Sequence, residues 1–132
     1  MIVADTNVIA YLFLPSQHTE QAEQLLLEEP VWSAPFLWRS EFRNVLAGYL
    51  RKNLISLEEA FRLQAEAESF FRGNEFLVPS SDVLQVVRNS ACSAYDCEFV
   101  ALAQGLGTKL VTGDRKVLRE FPGIATGIEP NS

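Results

Sequence analysis

Histidine is almost missing from this chain: His18 is the only one among 132 residues. Cysteine occurs twice, as Cys92 and Cys97. Zinc and copper sites draw on imidazole and thiolate ligands, so a transition-metal centre of that kind is not expected. Two thiols make no disulfide framework either, and they read as small, half-buried side chains. No run approaches the ~20 apolar residues of a membrane-spanning helix. The opening Met1-Ile2-Val3-Ala4-Asp5 lacks the basic start of a secretory signal, so the expected location is the cytoplasm, away from any membrane. Positive charge is in deficit, with 11 Lys and Arg against 17 Asp and Glu and a net charge of −6. Proteins that hold nucleic acid by general electrostatics are usually basic. Any nucleic-acid partner of this chain therefore needs a local basic patch or a bound cation.

Apolar residues, by contrast, make up 48% of the chain, which predicts a folded protein with a real core. The length suits a single domain spanning 1–132, and no repeat, low-complexity tract or linker interrupts it. An apolar run over Ile2–Ala4 stops at Asp5-Thr6-Asn7, and apolar residues resume at helical spacing (Val8, Ile9, Leu12). That pattern is a buried strand followed at once by a helix. Helices are then expected over Thr6–Leu14, Thr19–Glu28, Phe36–Lys52, Leu57 to about Arg72, Ser81 to about Ala91, Ala94–Gly105 and Arg115–Phe121. Strands are expected at Val31–Ala34, Glu75–Val78, Thr108–Thr112 and, at an edge, Ile124–Ile128. Ser56 with Glu59 has the spacing of a capping box. Each connection is long enough for a crossover, so the reading is a three-layer α/β/α fold around a parallel sheet of about five strands.

Four acids fall at element boundaries or at the edge of an apolar stripe: Asp5, Glu41, Asp96 and Asp114. Each also has an ordinary explanation. Asp5 and Asp114 suit helix N-caps, Asp96 lies third after a Ser93 cap, and Glu41 could be one solvated acid among many. Position joins them. Asp5 and Asp114 both follow buried strands, and ligands of open α/β sheets sit outside the carboxyl ends of strands. Spacing alone does not bring Asp96 and Glu41 to that edge. If all four meet, repulsion is large: two charges ~5 Å apart at an effective dielectric of ~20 repel by roughly 3 kcal/mol. Such a cluster keeps a proton or binds a cation, and all-oxygen donors select a hard ion, Mg²⁺ or Mn²⁺. On a helical wheel Asn44 shares the face of Glu41, while Arg39 and Arg43 flank the apolar stripe on its other side. Glu98 lies about 200° from Asp96 on the same helix and reads as solvated.

Asp5-Thr6-Asn7-Val8, Trp38-Arg39-Ser40-Glu41 with Asn44-Val45-Leu46, Ser93-Ala94-Tyr95-Asp96 with Ala101-Leu102-Ala103, and Val111-Thr112-Gly113-Asp114 with Val117-Leu118 together resemble the successive motifs of the PIN-domain family. The resemblance covers essentially the whole chain. In length and motif style it is closest to the VapC-type toxins of bacterial and archaeal toxin–antitoxin pairs. It implies a metal-dependent ribonuclease on a five-stranded parallel sheet with the first strand central. Asp5, Glu41, Asp96 and Asp114 would be its acidic metal ligands for one or two ions, and Thr6, Asn7 and Thr112 supporting polar residues. Arg39, Arg43, Arg115 and Lys116 are the candidate RNA contacts. The resemblance further implies a cognate antitoxin, lodged in part against the apolar helical pair Phe36–Arg72, and a homodimer. Two other readings stand beside it. An aspartyl-phosphate phosphatase wants a second acid two residues after the first, where this chain has Asn7. A catalytically silent module that binds RNA or protein needs none of the four acids.

Overall fold

The structure, a computed structural model, describes residues 1–128. Its centre is β1 (Ile2–Ala4), in which every residue is buried. A strand covered on both faces has no polar side to alternate, which is why the run reads as apolar throughout. β1 pairs in parallel with β2 (Trp32–Pro35) on one side and with β4 (Leu110–Thr112) on the other. β3 (Glu75–Phe76) extends the sheet beyond β2, and β5 (Ala125–Gly127) extends it beyond β4. The strand order is β3-β2-β1-β4-β5, all parallel.

Helices cover both faces. α1 (Thr6–Phe13), α2 (Thr19–Glu28), α3 (Leu37–Arg51) and α4 (Leu57–Phe70) pack on one another, with α3 against β2. α5 (Ser80–Arg88) packs along α6 (Ala94–Leu106), which crosses β1, β2 and β4. α7 (Arg115–Glu120) lies against β5. An aromatic cluster fills the space between α3 and α4: Trp38 meets Phe71 at 4.8 Å between ring centres, and Phe70 meets Trp32 at 5.6 Å. The expected capping box is present, with Ser56 and Glu59 each bonded to the other's backbone N–H.

Most element boundaries differ from the sequence reading by one to three residues, and three of these shifts have a clear local reason. β3 has two residues rather than four, because Leu77 leaves the sheet and stands 86% exposed. α5 stops at Arg88 rather than Ala91: the Asn89 side chain turns back to the Gln85 carbonyl, and the Ala91 N–H is taken by Glu120. α6 runs one residue further, to Leu106, and ends on Gly107 in the left-handed region (φ 66°), where glycine carries no Cβ penalty. α6 is also buried nearly all round, through Cys97, Phe99, Val100, Ala101, Leu102 and Ala103, rather than along one stripe. Both cysteines are buried, and the Cys97 thiol points at the Cys92 carbonyl at 3.8 Å.

This topology decides where chemistry can sit. The chain runs from β1 outward to β2 and β3, then returns past β1 to β4 and β5. The connections leaving β1 and β4 therefore diverge, and a crevice opens between them at the carboxyl edge. α3 starts directly after β2, so its first turns stand at that edge. α6 leads directly into the parallel strand β4, so it runs against the strands and its first turn stands there too. Ser93 caps that turn, accepting from the Asp96 N–H at 3.1 Å. Ser93→Ala is expected to cost about 1 kcal/mol of stability. Urea unfolding should show this as a lower midpoint at an unchanged slope.

Candidate active site

Asp5 follows β1 directly and is buried, 7% exposed. One carboxylate oxygen accepts from the Thr6 N–H at 2.8 Å, which caps α1. The other accepts from the Thr112 hydroxyl at 2.7 Å. Thr6 in turn donates through its own hydroxyl to Glu41 Oε1 at 2.7 Å. The Thr112 Oγ1 also accepts from the Asp114 N–H at 3.0 Å. Asp114 Oδ1 accepts from the N–H groups of Lys116 and Val117 at 2.8 and 3.2 Å, which caps α7. A continuous chain thus runs Glu41–Thr6–Asp5–Thr112–Asp114 across the ends of β1 and β4. Asn7 adds a second tie between the same two connections, its Oδ1 accepting from the Gly113 N–H at 2.9 Å.

Asp5, Glu41, Asp96 and Asp114 all line one open pocket of about 490 Å³, together with Thr6, Asn7 and Asn44. Thr112 lies beneath, fully buried. The pocket also takes in Leu37, Ser40, Val45 and Tyr95, which the sequence reading did not single out. The signal for the α3 members was available. Leu37, Ser40, Glu41, Asn44 and Val45 follow the spacing of one helical face, so naming Glu41 and Asn44 names that face. Tyr95 had only its place beside Asp96 to mark it.

Electrostatics set these acids apart. Burial drives the Asp5 carboxyl from 3.8 up to about 6; the hydrogen bonds from Thr112 and Thr6 pull against it, and the charges of Asp96 and Glu41 push with it. Burial also raises Glu41, with Asp96 adding repulsion. Asp96 is raised by burial first and by the charge of Asp114 next. Glu98 corrects its sequence reading: it is half-buried, and burial together with the charge of Glu41 raises its carboxyl. The acids are therefore close enough to oppose one another's ionisation.

The donor set is compatible with a hard divalent cation. It is all oxygen, and its own charges are only partly offset by Thr and backbone donors. Among the described residues no three His, Cys, Asp or Glu side chains form a ready metal cage. Mg²⁺ commonly uses one or two carboxylates and keeps several waters, so a closed cage is not what it asks for.

The candidate RNA contacts divide. Arg39 is turned away from the pocket. Its guanidinium grips Glu75 at 2.6 and 2.7 Å and reaches Glu68 at 3.2 Å. Glu75 also accepts from the Trp38 indole at 2.8 Å, so Arg39 fastens α3 to β3 instead of facing a phosphate. Arg43 is exposed and bonds the hydroxyl of Ser40, a pocket residue, at 3.0 Å. Lys116 is exposed, and its charge partly opposes the rise that burial and Asp114 impose on the Asp96 carboxyl. Arg115 is exposed beside it.

A buried acid with a raised pKa destabilises the fold once it ionises. The stability attached to Asp5 is fully present below its unfolded value of 3.8 and is lost as pH rises through about 6; the shift corresponds to about 3 kcal/mol. Metal-free Asp5→Asn should therefore melt at a higher temperature than the metal-free wild type at neutral pH. The advantage should shrink as pH falls toward ~4. Melting curves in chelator across that range check it, and an advantage independent of pH would contradict the assignment.

Comparison with known proteins identifies the family. A family model described as PIN domain matches residues 2–123. Ribonuclease VapC3 of Pyrobaculum aerophilum is 29% identical over 128 residues, 95% of this chain and 98% of that protein. Two solved structures share the fold. FitAcB from Neisseria gonorrhoeae superposes with a TM-score of 0.76 at 18% identity, covering 97% of this chain and 98% of that one. A toxin–antitoxin complex from Klebsiella pneumoniae gives 0.71 at 18% identity, covering 98% of each. With a family match over almost its full length, on a five-stranded parallel sheet of this order, the chain belongs to the PIN domain family.

Proposed function

We propose that this chain is a metal-dependent endoribonuclease of the VapC type, the toxin of a toxin–antitoxin pair. The observation that carries the reading is the meeting of Asp5, Glu41, Asp96 and Asp114 in one pocket at the switch point of the sheet. The similarity to a ribonuclease along 95% of the chain supports it. The aspartyl-phosphate alternative is disfavoured, because Asn7 is occupied with the Gly113 N–H where that chemistry wants a second acid. The silent-module alternative has no use for acids held at such electrostatic cost.

Asp5, Glu41, Asp96 and Asp114 would hold one or two Mg²⁺ or Mn²⁺ ions. When bound, the metal supplies Lewis acidity toward the phosphodiester and activates water for hydrolysis. The chain's own part is orientation. Thr112 and the Thr6 N–H fix both oxygens of Asp5, and the Thr6 hydroxyl fixes Glu41. Arg43, Arg115 and Lys116 would meet the RNA backbone; Arg39 is left out of that role because Glu75 and Glu68 engage it. The acidic balance of the chain is then less of an obstacle, since one or two divalent ions would offset much of the negative charge of the four acids.

A cognate antitoxin and a second copy of the chain are the proposed protein partners, in the cytoplasm. For the antitoxin, the structure offers the exposed apolar side chains Leu54, Leu57 and Phe61 where α3 gives way to α4. Among the described residues no helix is long and apolar enough to cross a membrane.

Asp96→Asn should abolish Mg²⁺-dependent RNA cleavage while leaving the far-ultraviolet circular dichroism unchanged. Mg²⁺ or Mn²⁺ should raise the melting temperature of the wild type, and the rise should be lost in Asp96→Asn. Full activity in the variant would sink the mechanism, as would a wild type indifferent to metal.

A further inference from the structure

The acid pocket has a second, apolar side that hydrolysis at a phosphate does not require. Leu37 and Val45, both half-buried, line it from α3. Tyr95 lines it from the first turn of α6. Tyr95 is 65% exposed, and among the described residues no hydrogen bond or ring contact involves it. Of the exposed large apolar side chains in the described residues, it is the one that borders this pocket. Core packing does not account for it. Helix propensity does not either, since Tyr ranks below Ala, Leu and the long polar residues. Exposed apolar side chains are common singly. This one stands next to Asp96, at the rim of a pocket whose other wall is carboxylate.

A nucleotide has the same division: an anionic phosphate beside a flat, apolar-faced ring with polar edges. Aromatic side chains hold such rings by stacking, whatever the base. Asn44 is exposed on the α3 wall and carries both a donor and an acceptor. We propose that Tyr95 is the stacking seat for the nucleobase next to the scissile phosphate, with the Asn44 amide facing that base's edge. This rests on the ribonuclease reading above and assigns its substrate-binding residue. Tyr95 is not a catalytic residue here; it holds the RNA in register with the acids.

The test uses the full chain with Mg²⁺ or Mn²⁺ and a panel of single-stranded oligoribonucleotides. Once a cut is mapped, the same RNA is made with an abasic residue on either side of it. The wild type should lose about 5- to 150-fold in kcat/KM on one abasic RNA, the fold-change equivalent to about 1–3 kcal/mol per stacked base. Tyr95→Ala should show a similar loss on intact RNA, mostly through KM, and little further loss on the abasic one. Tyr95→Phe keeps the ring and should cleave intact RNA like the wild type. Tyr95→Leu, similar in size but without the ring, should behave like Tyr95→Ala, and unchanged melting temperatures show that the fold is intact. Wild-type activity on intact RNA in Tyr95→Ala, or an undiminished abasic penalty, overturns the stacking seat while leaving the ribonuclease reading in place. A wild type that cleaves no RNA with either metal overturns that reading, and the seat with it.

Discussion

One hydrogen bond, 2.7 Å from the Thr112 hydroxyl to Asp5, joins residues 107 positions apart and fixes the edge on which everything else is arranged. It can form because β1 and β4 are neighbours in the sheet, and they are neighbours because the chain reverses its order there. The same hydroxyl oxygen receives the Asp114 N–H, so the connection after β4 is held relative to the one after β1. Thr6 carries the constraint outward to Glu41 on α3. The Thr112 hydroxyl bonds two groups at once, and a valine of the same shape would lose both; at position 6 a valine would keep the backbone bond to Asp5 and lose the hydroxyl bond to Glu41.

Much of this was legible in the residues. The apolar runs ending in Asp5 and near Asp114 gave the strands and their common edge. The apolar spacing from Phe36 to Lys52 gave α3 and the face that Glu41 and Asn44 share. The arrival of Asp96 at the edge was legible too, in hindsight. A helix that feeds directly into a parallel strand must run against it, so its start lies where the strands end. Spacing along the sequence hides that argument; strand direction supplies it.

Other features depended on contacts that no local pattern announces. Arg39 looked like a phosphate contact because it flanks the α3 stripe, but its partner Glu75 is 36 residues away. Glu98 looked solvated on its own helix, but the fold half-buries it and brings the charge of Glu41 near it. The apolar side of the pocket escaped notice because it is split between two helices of opposite layers. Charge is visible in sequence one residue at a time, whereas opposing charges and shared walls exist only after folding.

Three of the four acids sit at the start of a helix: Asp5 before α1, Asp96 in the first turn of α6, Asp114 before α7. Three sets of backbone N–H groups, each the positive end of its helix, therefore converge on one spot. The mutual repulsion of the acids is answered in part by the main chain before any ion arrives. On the reading proposed above, folding and metal loading would then be separable events: the main chain would hold the acids in place, and an ion would enter a finished structure. A cell could hold such a protein folded but inert, with divalent-ion supply acting only at the last step.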